Sequence, residues 1–137
     1  MIKIIITLAI VLVTAVASAE DMGPGPSILA DEYAECASYY HFMHYYYHGL
    51  HTIRGAELDS ELASSHKEMF FNATFMASRW AEIGGKDYND AAVSAHKRVK
   101  FYHGAMRKEI KNNNFNLLTL KTNYESKCFI LMKEDLL

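Results

Sequence analysis

Leu29, Tyr33, Cys36, Tyr40, Met43, Tyr47 and Leu50 follow one another at spacings of 4-3-4-3-4-3. That repeat places all seven side chains on one stripe of an α-helix. It does not fit a strand, whose faces alternate every second residue. Similar spacings return in Leu62, His66, Met69, Ala73, Met76, Trp80 and Ile83, then in Ala92, Ala95, Val99, Tyr102 and Met106. A last set comprises Leu117, Leu120, Tyr124, Cys128 and Leu131. No segment alternates with period two, so the chain reads as all-α with four amphipathic helices.

The boundaries carry their own signals. Pro26-Ser27 opens the first helix and Gly55 breaks it. Gly84-Gly85 ends the second, because glycine tolerates the left-handed conformation that a helix C-terminus requires. Asp87 caps the third helix, Asn112-Asn113-Asn114 stops it, and Asn116 caps the fourth. Four helices with short links favour a four-helix up-down-up-down bundle.

The N-terminal segment has a different purpose. A basic start at Lys3, an apolar run from Ile4 to Val16 and the small-x-small triplet Ala17-Ser18-Ala19 form the pattern of a cleaved signal peptide. The run is shorter than the roughly 20 residues that span a bilayer, so cleavage is favoured over a retained anchor. The chain therefore divides into a signal peptide, residues 1–19, a flexible Pro/Gly lead-in, residues 20–27, and a helical domain, residues 28–137. No later stretch is apolar enough to span a membrane.

Export makes Cys36 and Cys128 an expected disulfide, since an even pair is oxidised outside the cytoplasm. Cys36 stands about two turns into helix 1, and Cys128 about two turns from the end of helix 4. In an antiparallel pair of first and last helices these levels coincide. A closed loop of this size is worth about 4–5 kcal/mol in the chain-entropy model.

Half of the chain is apolar and 22% is charged, which excludes a disordered chain. A net charge of −2 gives no electrostatic footprint for nucleic acid. The charge is nevertheless uneven. Residues 20–61 carry eight acids and one base, whereas Lys97, Arg98, Lys100, Arg107, Lys108 and Lys111 crowd residues 96–111 against Glu109 alone. The basic set reads as a solvated face complementing the acidic half, or as a dock for an acidic partner or lipid head groups.

Of the ten residues 39–48, six are Phe or Tyr and three are His. Tyr39, Phe42 and Tyr46 project from one flank of helix 1 and are candidates for a protein-partner or homo-oligomer contact, because tyrosine-rich patches favour interfaces. If a neighbouring helix covers them, they broaden the core. His41, His44, His48 and His51 share a narrow stripe, with His66 and His103 expected near the same level. His41, His44, His48, His66 and His103 thus form an alternative metal set for Zn or Cu; the plainer reading pairs them with Tyr hydroxyls. No Glu-x-x-His, His-Glu-x-x-His, Gly-x-Ser-x-Gly or P-loop occurs, and no nucleophile–base pair is visible. Asn72-Ala73-Thr74 matches a glycosylation sequon but falls inside a helix.

Glu35-Cys36-Ala37-x-Tyr39-Tyr40 soon after an export signal, with a lone second cysteine near the C-terminus, resembles a loose group of uncharacterised small exported helical proteins of proteobacteria and their phages. The resemblance covers the signal, helix 1 and the Cys128 region. It implies a periplasmic, disulfide-linked bundle and no activity. The expectation is an exported, non-catalytic protein, periplasmic or secreted, that acts by protein–protein contact in an accessory or phage–host role, without a cofactor. The alternative is a metal-binding or metal-buffering protein.

Overall fold

The computed structural model describes residues 25–114 and 116–134. The expected signal peptide, residues 1–19, and residues 20–24 of the lead-in lie outside them. Among the described residues there are four helices and no strand: α1 Pro26–Arg54, α2 Glu57–Ile83, α3 Tyr88–Asn112 and α4 Leu118–Glu134. None is long and apolar enough to cross a membrane.

Each boundary has a local cause. Pro26 sits in the first turn of α1, where a missing N–H leaves no bond unmade. At the other end Gly55 takes a φ of 67°, a left-handed value that glycine adopts without a Cβ penalty. Its N–H donates to His51 O at 2.7 Å, while His51 Nδ1 donates to Ala56 O at 2.9 Å. Two residues therefore suffice to reverse the chain into α2. The Asp87 carboxylate accepts the Asp90 N–H at 2.9 Å, capping α3 as its position suggests. The Asn116 side chain accepts the Leu118 N–H at 3.0 Å at the start of α4.

Helix α1 packs against all three other helices, most extensively against α2. Its partnership with α4 is fixed at several levels. The sulfurs of Cys36 and Cys128 are 2.08 Å apart, at disulfide distance. Tyr33 OH donates to Leu131 O at 3.2 Å, Lys127 pairs with Glu35 at 2.5 Å, and Lys121 Nζ donates to Tyr47 OH at 3.3 Å. Residue numbers rise along α1 as their partners' numbers fall along α4.

The core depends on small residues as much as on the aromatic stripe. Ala30, Ala34, Ala37 and Ser38 are fully buried on α1, as are Ala73 and Ala77 on α2 and Ala91 on α3. Ser38 Oγ lies 2.8 Å from Val99 O and 3.0 Å from Ala34 O, a contact that demands close backbone approach of α1 and α3. Along α3 the expected stripe holds at Ala95 and Met106, which are buried, and at Val99 and Tyr102, which pack against the core; only at its start does Ala91 take the buried place in Ala92's stead. On α2, Ala77 and Ala81 are more deeply buried than Met76 and Trp80 beside them, and Ile83 is exposed.

Candidate binding groove

The aromatic and imidazole side chains of α1 separate onto two sides. On the α4 side, Tyr39 is 1% exposed, and its ring centroid lies 6.3 Å from that of Tyr124. Of the two expectations for the flank, Tyr39 follows the second: α4 covers it, and it broadens the core. Phe42 and Tyr46 are half-buried; Phe42 stacks on His103 with centroids 4.3 Å apart. The three residues do not form one exposed face.

Tyr39 OH has no hydrogen-bond partner among the described residues. It borders a small cavity with Tyr40, His66, Met69 and Glu125. Burial, reinforced by the Glu125 carboxylate, pushes the Tyr39 phenol well above its usual range and Tyr40 up to about 12. His66 stands between the rings of Tyr40 and Tyr47, at centroid distances of 5.8 and 5.0 Å. Its Nδ1 donates to Leu62 O at 2.7 Å, and burial lowers its pKa despite that bond.

The other side of α1 opens into a groove bounded by α2 and α3. His41 lies against Phe70 of α2 and His103 of α3, with centroids 4.9 and 5.2 Å apart. These rings border a cavity of about 320 Å³, with Thr74, His96, Val99 and Lys100 around it. His41 and Phe70 also border a smaller depression with His44, Tyr45, Lys67 and Phe71. Tyr45 in turn borders a third, wider one of about 660 Å³, with Phe42, Arg107, Ile110, Lys111 and Leu117. His41 and Phe70 are common to the first two and Tyr45 to the second and third, so the three depressions adjoin one another along α1.

Burial pushes both facing imidazoles below the usual histidine range. His44 adds to the effect on His41, and His41 and Arg107 add to it on His103. The five histidines of the metal set are not brought together. His41 and His103 meet in the groove, and His66 lies on the far side of α1. His44 Nδ1 donates to Ala63 O at 2.8 Å, and His48 stacks on His44 at 6.1 Å. Among the described residues, no group of three or more His, Cys, Asp or Glu is placed to hold a metal ion.

Sequence reasoning missed Phe70, Thr74 and His96 as groove residues. The available signal was the run His96, Lys100, His103, Arg107, spaced 4-3-4 on one face of α3. Of the other expected basic residues, Arg98 turns instead to Asp31 at 2.7 Å, so the charge complementarity between halves is realised at that point. The chain matches no protein-family model, no curated protein and no solved structure.

Proposed function

We propose that this chain is an exported, disulfide-linked bundle, its helices in up-down-up-down order, that works in the periplasm by binding another protein and not by catalysis. The observation that carries the reading is the exposure of large aromatic side chains outside the core. Phe71, Phe75 and Phe101 are each more than half exposed, as is Tyr45 beside Phe71. Phe71 and Phe75 stand one turn apart on α2, so their rings act together. Single exposed aromatics are ordinary, whereas grouped ones mark contact surfaces. The oxidised Cys36–Cys128 pair supports a compartment outside the cytoplasm.

Photo-crosslinking tests the reading. A benzophenone side chain replacing Phe71, in the cells that make the protein, should yield a discrete adduct of higher mass. The same group replacing Lys133 on α4 gives the background. Adducts from position 71 no stronger than that background would contradict a binding role.

A further inference from the structure

We infer that the groove along α3 is a docking site for an acidic amphipathic helix of a partner protein. The inference rests on the binding role proposed for the chain and adds the place and the chemistry of contact.

On α3, His96, Val99, Lys100, His103, Arg107 and Ile110 all border the groove, with Lys111 at its end. Their offsets of 0, 3, 4, 7, 11, 14 and 15 keep them on a single helical face. From His96 to Lys111 that face runs about 22 Å, at 1.5 Å per residue. Four turns of a second helix cover the same length. Across from it stand Phe70 and Thr74 of α2, while His41, Phe42 and Tyr45 of α1 form the floor.

Charge decides what the groove accepts. Lys67, Lys100, Arg107 and Lys111 border the three depressions, together with four histidines, and among the described residues no Asp or Glu borders any of them. The nearby acid on α3, Glu109, is turned away toward α4, where Tyr124 OH donates to it at 2.9 Å and Asn123 also bonds it. The lining between the cations is apolar or aromatic. A partner therefore needs apolar groups at helical spacing, flanked by carboxylates. Three of the cations are spread along α3, Lys67 stands on α2, and they are not gathered at one point. That distribution suits a ligand with charge along its whole length better than a single head group with one tail.

The test uses the oxidised full chain and two synthetic peptides of about 18 residues. Both carry the same leucine face at i, i+3, i+4 and i+7; one is flanked by Glu and the other by Lys. Backbone amide shifts of the labelled protein are followed at about 0.15 M salt. The Glu peptide should give saturable shifts centred on Phe70, Lys100, His103 and Arg107, with affinity about tenfold above the Lys peptide. In Lys100→Glu/Arg107→Glu the preference should reverse, while the thermal midpoint of these exposed positions stays within a few degrees. No saturable binding, equal affinity for the two peptides, or shifts that map elsewhere would overturn the inference. So would phosphatidylglycerol vesicles that perturb the same residues while the Glu peptide does not, or shifts on concentrating the protein alone that mark a second copy in the groove. Crosslinking from position 71 in cells is independent of the peptides, so the binding role and the groove assignment can fail separately.

Discussion

His41 and His103 meet in the groove with ring centroids 5.2 Å apart and planes inclined at 64°. Both pKa values are lowered by burial, so the folded state prefers both rings neutral. Lys67 and Lys100 border the same depressions and Arg107 lies beside His103, so protonation adds charge to an already cationic place. Above the unfolded histidine value of about 6.5 neither state is protonated and stability is unaffected. As pH falls below it, the unfolded chain takes up protons first and the folded state loses stability until its own lowered values are reached. The thermal midpoint should therefore drop between pH 7.5 and 5. His41→Gln/His103→Gln should make that drop shallower; a profile parallel to the wild type would show that these rings do not carry the effect.

The Cys36–Cys128 bond closes a loop with a sequence separation of 92 residues. In the chain-entropy model, removing such a constraint destabilises by about 4–5 kcal/mol. Urea unfolding of the oxidised protein and of Cys36→Ala/Cys128→Ala should differ by this amount. A difference under about 1 kcal/mol would show that α4 holds its place on α1 without the bridge.

Tyr39 offers a sharper contrast. Its hydroxyl is buried without a partner, so Tyr39→Phe removes an uncompensated polar group and should leave stability unchanged or raise it by about 1 kcal/mol. Tyr39→Ser empties a core position and should lower stability by about 3–5 kcal/mol. Sedimentation of Tyr39→Ser that remains folded should match the wild type. A selective loss of self-association, with stability intact, would return Tyr39 to the surface.

The helices and their ends were legible because their signals are local. Gly55, Asp87 and Asn116 act through bonds to residues within four positions. The pairing of Cys36 with Cys128 was legible from levels along two helices. What the spacing could not supply was the rotation of each helix about its axis. Ala91 and Ala92 are equally apolar, and only the packing of the neighbouring helices decides which is buried. For the same reason Tyr39 could be placed on a flank but not beneath α4. The groove was only half legible. Its α3 cations Lys100, Arg107 and Lys111 were visible in the sequence, whereas Lys67, Phe70 and His96 join them through the packing of α2 and α3 on α1.

The alanine contacts make this difference measurable. Ala77 is fully buried and Ala92 is exposed. Ala77→Leu should destabilise by about 1–3 kcal/mol or more through overpacking. Ala92→Leu should stay within about 0.5 kcal/mol of the wild type. Equal effects in thermal or urea unfolding would place the helix interfaces elsewhere.

An oxidising compartment outside the cytoplasm is the premise on which the disulfide and the proposed binding role depend. Intact mass spectrometry under non-reducing conditions, on periplasmic protein from cells expressing the full chain, tests it most directly. The expected species begins at Glu20 and carries both cysteines oxidised in one intramolecular bond. A chain that remains in the cytosol from Met1 with two free thiols would contradict the account.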